Sequence, residues 1–337
     1  MDSLIVIGAS TGGVEALTKI VSGIPAGFPA AILVVMHIGE HRSVLPTVLG
    51  RHCALPVRHA QHGELVQPGI VLIAPPDRHM LVQRLGPELR IVLTRGPKEN
   101  HSRPAIDTLF RSAAVACGPA AIGVILTGYL DDGTVGLQAI KRCGGTAIVQ
   151  DPKDAMVPDM PGHALENTAV DRCMPLAEIA AGLVDKVSAN AAAPLAENAP
   201  VPDWVDIENN FALGAGDMQQ LKKIARPSRY SCPECGGALF QLNTARPCRF
   251  RCHTGHSYTL LALVEEQDAV VEASLAAALR ALQEKESLAE QLATEFLGRS
   301  TVPAPAYLAL ARQARADASV LRQLLARQQN GGTLPDA

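Results

Sequence analysis

Residues 8–12 read GASTG, a G-x-S-x-G pattern in which small residues let the chain turn sharply and raise a hydroxyl above the end of a strand. Leu4 to Ile7 before it are apolar and largely β-branched, and Val14, Leu17 and Val21 after it are spaced as on one helix face. Ser10 therefore stands in a strand-to-helix turn, as a nucleophile would. The same turn also suits a tightly packed strand–helix corner or a dinucleotide pyrophosphate. A dinucleotide site places an acidic residue at the end of its second strand to hold ribose, whereas the run AAILVVMH ends in His37. An imidazole at the carboxyl edge of a parallel strand lies where open α/β sheets carry their chemistry, although it also serves as a polar cap. After the run AIGVILTG comes a loop with Asp131 and Asp132, then a helical pattern through Leu137 and Ile140. Asp-Gly is a hairpin signal, but a helix and not a second strand follows. Three strand ends thus offer serine, histidine and aspartate in that order, the residue types of a nucleophile, its base and an orienting carboxylate.

The elements that must position them are short apolar runs alternating with helical patterns up to about residue 188: LIVIG, AAILVVMH, GIVLIAP, LRIVLT, AIGVILTG and TAIVQD. Continuous runs, as opposed to alternating ones, belong to strands covered on both faces. The expected fold is α/β, a doubly wound, mostly parallel sheet of Rossmann-like type. A chain of 337 residues that is 47% hydrophobic can bury a large core and holds two or three domains. The stretch ANAAAPLAENAPVPDW reads as a semi-extended linker.

At this point the residues resemble a known family, the catalytic domain of the CheB chemotaxis protein-glutamate methylesterases. The resemblance runs over roughly residues 3–186 and rests on IGASTGG, VVMH, GIVLIAPPDRHM, NHSRPAIDTLF, GVILTGYLDDGTVG and DPKDAMVPDMP in that order. It implies Ser10 as nucleophile, His37 as base and Asp132 as the orienting carboxylate, acting on glutamate methyl esters of a chemoreceptor's cytoplasmic domain in chemosensory signal transduction. Deamidation of glutamine is the related activity the family implies, and no cofactor is expected for catalysis. Main-chain amides near Thr11 and Tyr129 are the expected oxyanion donors, each typically worth ~3 kcal/mol, and Asn100 and Arg103 are expected to position substrate. A signalling scaffold without activity and a small-molecule esterase are the rival readings.

Three departures from the family pattern stand out. The usual TGMGxDG is TGYLDDG, so Tyr129 occupies the methionine position and Leu130 a glycine position; a left-handed backbone there would strain a leucine. Asp131 adds a second carboxylate beside Asp132. Gly162 and His163 stand where an arginine often follows MP. Family members of the standard pathway carry a phosphorylatable receiver ahead of this region, and Ser10 lies too near the first residue for one. The expectation is a receiver-less chain, controlled through its C-terminal half.

That half holds CPECGGALFQLNTARPCRFRCHTGHSY, whose C-x2-C and following Cys/His group have zinc-ribbon spacing. The preferred structural zinc ligands are Cys232, Cys235, Cys252 and His256, with Cys248 and His253 as alternatives; FRCHTGH resembles the ribbons attached to receiver-less family members. Arg246, Arg249 and Arg251 beside Phe250 read as a solvated basic face and not as a strand-binding one. Two amphipathic helices follow, over Leu260–Leu297 and Pro305–Gln329, joined by GRSTVPAP and ended by NGG. They suit a helical hairpin open to a regulatory protein partner. The expected division is a catalytic domain at 1–188, a linker at 189–228, the ribbon at 229–259 and the hairpin at 260–329. A net charge of −3 gives no case for nucleic acid. The absence of a secretory signal or an apolar span, with scattered thiols, points to the cytoplasm and against membrane insertion. His52, His59, His62, His79 and His101 carry no assigned chemistry.

Overall fold

The computed structural model describes residues 3–37, 43–192, 199–244, 246–295 and 304–331. Its first unit runs to Leu263 and its second from Val264. The first is built on seven strands: β1 (Leu4–Ala9), β2 (Ala31–Met36), β3 (Val57–His59), β4 (Val71–Ile73), β7 (Ala121–Ile125), β8 (Thr146–Gln150) and β9 (Arg172–Met174). They lie in the order β3-β4-β2-β1-β7-β8-β9, every neighbouring pair parallel. Helices α1 (Gly13–Ser22), α2 (Leu45–Gly50), α3 (Ile106–Cys117), α4 (Thr134–Arg142), α5 (Asp159–Asn167) and α6 (Leu176–Ala192) connect and cover them.

The central strands are buried on both faces, which is why they read as unbroken apolar runs. Leu4, Val6, Leu33 and Val35 face α3 and α4 in one core, while Ile5, Ile7, Ile32 and Val34 face α1 and α6 in the other. On α1 the buried stripe is Ala16, Leu17, Ile20 and Val21; Val14, expected on that face, is 41% exposed. The run LRIVLT is not in the main sheet. It forms β6 (Glu88–Thr94), paired antiparallel with β5 (His79–Leu85) through a turn with Gly86 at φ 60°. This hairpin packs its inner face on α3, so its apolar content mimics that of a central strand.

The expected linker is shorter than 189–228. Helix α6 extends to Ala192, residues 193–198 lie outside the described residues, and α7 (Asp203–Ala212) and α8 (Met218–Ile224) then pack through Ile207, Phe211, Leu221 and Ile224. The four-stranded antiparallel sheet β10 (Ala225–Ser231), β11 (Ala238–Leu242), β12 (Arg249–Cys252) and β13 (Ser257–Thr259) follows in sequential order, with Leu239, Phe250 and Tyr258 in its small core. This ribbon belongs to the same compact unit as the parallel sheet.

Helix α9 (Leu260–Glu295) leads into the second unit, where α10 (Ala304–Gly331) lies beside it. Arg315 bridges Glu286 and Glu290, and the buried positions are the alanines 289, 293, 311, 314 and 318. The expected apolar seam is therefore partly outside: Val271, Leu310 and Leu324 are exposed, because the close contact is made by small residues. Phe296, Leu297 and most of the connection lie outside the described residues. Among the described residues no helix is long and apolar enough to cross a membrane.

Candidate active site and metal cluster

Strands β1 and β2 pair in parallel up to Ala9 opposite Met36, and the His37 amide then donates to the Ala9 carbonyl at 3.2 Å. Ser10 and His37 are therefore the next residues off two adjacent strand ends. Ser10 is held by its own amide, which donates to the Thr127 carbonyl at 3.0 Å, and by its carbonyl, which accepts from Gly13 at 2.8 Å. The Thr127 hydroxyl donates to the Thr11 carbonyl at 2.9 Å, fixing the rest of the turn. Gly12 takes φ 78°, a conformation that favours glycine, and lets the chain enter α1. Gly128 is needed for space: a Cβ there would lie 2.7 Å from that of Ser10.

The carboxylate comes from the loop after β7. Asp132 Oδ2 lies 2.9 Å from His37 Nε2, with Asp132 3% and His37 19% exposed. Asp132 also accepts from the Ile106 amide (2.7 Å), the Asp107 amide (3.2 Å), the Gly133 amide (3.0 Å) and Asn100 Nδ2 (3.0 Å). Ile106 and Asp107 open α3, so the carboxylate sits at the positive end of that helix. Burial works to raise the carboxyl's proton affinity, but the His37 bond and charge, the Ile106 amide and Asn100 hold it below the usual carboxylate range. The nearby Asp107, fully buried, is pushed up by burial and by the Asp132 charge to about 8. Of these two acids, Asp132 is the one whose ionised form the surroundings favour.

Asp131 turns the other way. Its Oδ1 accepts from the Thr259 hydroxyl at 2.8 Å, so only one of the two adjacent acids meets His37. Leu130 adopts φ 61°. The loop keeps the left-handed geometry of a glycine position with a leucine in it, and still delivers Asp132.

A carboxylate only accepts, so the bond is donated by Nε2 of His37, and in the neutral ring Nδ1 is then the accepting nitrogen, with no partner among the described residues. Ser10 is half-buried, and its hydroxyl makes no hydrogen bond among the described residues. The amides of Thr11 and Tyr129 likewise have no acceptor among those residues, and Tyr129 is 58% exposed. Asn100 and Arg103, expected at the substrate, are engaged within the chain. Asn100 is buried, with Nδ2 on Asp132 and Asp107 and Oδ1 accepting from the Thr259 amide. Arg103 pairs with Asp77 and donates to the Gly96 carbonyl. His79, left without chemistry, is buried and bonded to Pro97 and Ala105.

In the ribbon, Cys232, Cys235, Cys252 and His256 bring their ligand atoms within 4.8 Å of one another. Cys235 and Cys252 sulfurs are 3.8 Å apart, the edge expected of a tetrahedron with metal–sulfur bonds of about 2.3 Å. His256 Nδ1 faces the Cys252 and Cys232 sulfurs at 3.5 and 3.6 Å, and its Nε2 faces Glu234 at 3.6 Å, the carboxylate–imidazole pairing that orients a metal-ligating histidine. The donor set fits a divalent ion of zinc type. Cys248 instead accepts from Gln241, and His253 is exposed beside Gly237.

Of the basic face expected beside Phe250, Arg246 is exposed but Arg249 and Arg251 are not solvated. Arg249 and Arg251 are 3% and 0% exposed and bind Glu208 at 2.6 and 3.0 Å, while Arg251 also reaches Glu99 at 3.1 Å. Glu99 in turn holds Arg111 of α3. Burial of guanidinium groups requires such partners. The partners lie as far as 152 residues away in sequence, so local sequence gave no sign of Glu99, Glu208 or Arg111.

An open parallel sheet with a hydroxyl, an imidazole and a buried carboxylate at its carboxyl rim has the layout of an α/β serine hydrolase. The chain belongs to the CheB methylesterase family, whose pattern matches residues 5–183. It is similar to the protein-glutamate methylesterase/protein-glutamine glutaminase 4 of Anaeromyxobacter dehalogenans (strain 2CP-C), at 43% identity over 52% of this chain and 50% of that one. It is 42% identical to the corresponding protein 3 of Rhodopseudomonas palustris (strain BisB18), over 53% of this chain and 49% of that one. It thus spans about half the length of the curated relatives it matches. The fold also matches the crystal structure of the Thermotoga maritima CheB methylesterase catalytic domain, with TM-score 0.53 and 36% identity over 55% of this chain and 98% of that one.

Proposed function

We propose that this protein is a serine hydrolase that demethylates glutamate methyl esters on the cytoplasmic domain of a chemoreceptor. The observation that carries the reading is the 2.9 Å bond from His37 Nε2 to Asp132, made at the rim where Ser10 leaves the neighbouring strand. In the proposed reaction Nδ1 of His37 takes the Ser10 proton as Oγ bonds to the ester carbonyl carbon. Asp132 holds the ring and balances its positive charge. The amides of Thr11 and Tyr129, which have no acceptor among the described residues, receive the developing oxyanion. His37 then returns the proton to the departing methoxide, releasing methanol, and the same base activates water to hydrolyse the acyl-serine, restoring Ser10 and a glutamate. With a glutamine side chain the leaving group is ammonia.

The altered loop, left-handed at Leu130, still brings Asp132 to His37, which supports an active enzyme over an inactive scaffold. We further propose zinc in the Cys232, Cys235, Cys252 and His256 cluster, where it would cross-link the ribbon. The α9–α10 pair, with Leu288, Leu308 and Val320 exposed, is the proposed surface for a regulatory protein. No role in binding nucleic acid or in membrane insertion is proposed, and the site of action is the cytoplasm, where the receptor's methylated segment lies.

The test is methanol release from a methylated receptor fragment by the purified full chain, with Ser10→Ala beside it. Release that disappears in the variant supports the reading. Equal release by both, or none by either, overturns it. One equivalent of zinc per chain by elemental analysis supports the metal assignment, and a zinc-free folded protein rejects it.

A further inference from the structure

Among the described residues, four of the five groups that donate to Asp132 come from the parallel-sheet domain's own framework: His37, Gly133 and the first two amides of α3. The fifth, Asn100, is different. Its backbone is left-handed at φ 47°, and every polar group of its side chain is engaged. On one side Nδ2 reaches Asp132 and Asp107. On the other, Oδ1 accepts from the Thr259 amide at 3.1 Å and the Asn100 amide donates to the Ser257 carbonyl at 2.8 Å.

Ser257 and Thr259 are the ends of ribbon strand β13, which begins one residue after His256. The contact is continuous with its surroundings. The Ser257 amide donates to the Lys98 carbonyl, Thr259 Oγ1 donates to Asp131, and Lys98 pairs with Glu234 at 3.4 Å. Arg251, one residue before Cys252, is anchored on Glu99 and Glu208 with no exposure. Two members of the metal cluster therefore border the two strands whose residues grip the segment 98–100. An amide held at both ends cannot move toward solvent without unpairing the Thr259 amide and a carboxylate oxygen in a buried place.

We infer that Asn100 is a positioning residue for Asp132, and that β13 of the ribbon sets its position, so that the aspartate–histidine pair is properly aligned only with the ribbon in place. The inference rests on the triad reading above. It makes the ribbon a structural part of the reaction centre, supplied by the same chain from beyond the family's catalytic region.

The test uses the full chain with Asn100→Gly, chosen because glycine accepts the left-handed backbone, and Thr259→Val with Thr259→Ser as its conservative control. Serine keeps the hydroxyl that bonds Asp131 and receives the Ala262 amide at the start of α9. One readout is the rate at which a fluorophosphonate labels Ser10, forming the Oγ–phosphorus bond with loss of fluoride. The other is the exchange-protected Nε2 proton of His37 by NMR, which reports the Asp132 bond whether or not Ser10 reacts. Asn100→Gly and Thr259→Val are expected to lower labelling by about 10²-fold, a loss typical of misplaced reacting groups, and to lose the protected ring proton; Thr259→Ser restores both. Stripping the ribbon metal with a chelator is expected to speed amide hydrogen exchange across residues 99–107. Wild-type labelling and an intact ring proton in folded Asn100→Gly and Thr259→Val overturn the inference, as does unchanged exchange at 99–107 after the metal is removed. Failure of the triad reading looks different: wild-type Ser10 is then unlabelled while the ring proton still follows the variants.

Discussion

Asp131 accepts the Thr259 hydroxyl at 2.8 Å across 128 residues of sequence, while its neighbour Asp132 meets His37. Adjacent acids thus answer to different parts of the fold. Burial raises Asp131 from an ordinary 3.8 to about 6, against the opposing pulls of Thr259 and His163. With the folded value raised, the neutral form is favoured. The associated stability is fully present below about pH 4 and lost as pH rises through about 6. Asp131→Asn keeps an acceptor for Thr259 and cannot ionise. Its stability relative to wild type should climb across that window and level off near ~3 kcal/mol. Urea denaturation at several pH values checks this; an offset independent of pH contradicts it.

Asp132→Asn should lower turnover by about 10⁴-fold, as loss of the orienting carboxylate does in serine triads. An asparagine amide would also face an N–H among the five donors that now converge on the carboxylate. A loss in both labelling of Ser10 and thermal stability is expected. Unchanged labelling would remove Asp132 from the reaction.

Glu208 is held at about 2: burial would raise it, but Arg249 and Arg251 prevail. A depressed carboxyl contributes stability above about pH 4.5 that is lost as pH falls toward 2. Glu208→Gln leaves two buried guanidinium groups short of charge and should cost about 3–5 kcal/mol at pH 7. The deficit should shrink near pH 3. Calorimetry at the two pH values measures it, and a deficit equal at both refutes the assignment.

Gly133 has φ 94°, and a Cβ there would lie 2.7 Å from Ile106 Cγ2. Ile106 is the residue whose amide donates to Asp132. Gly133→Ala is expected to destabilise by about 1–3 kcal/mol and to slow turnover together, because relief of the clash must shift α3. Thermal melts and kinetics on the same sample decide it.

Much of the fold was legible beforehand for a physical reason: central strands covered on both faces must be apolar throughout, and the turns after them hold Ser10, His37 and Asp132 at one rim. The run LRIVLT misled because the β5–β6 hairpin is buried against α3 on one face and partly shielded on the other. Helices α7 and α8 were hidden by the Pro/Ala-rich stretch before them. Arg249 and Arg251 looked like surface residues because what buries them, Glu99 and Glu208, is distant in sequence. The same holds for Asn100, whose importance depends on a strand that follows it by about 157 residues.

The backbone bond between His37 and Ala9 has one more implication. Because Ser10 and His37 leave neighbouring parallel strands, the backbone spacing between the proposed nucleophile and the proposed base derives from the interstrand repeat, about 4.8 Å, and not from any loop. On the proposed mechanism, recognition segments around the rim can thus be lengthened, shortened or exchanged without resetting the backbone spacing of these two residues. Diversification of target choice on this scaffold can proceed independently of its chemistry.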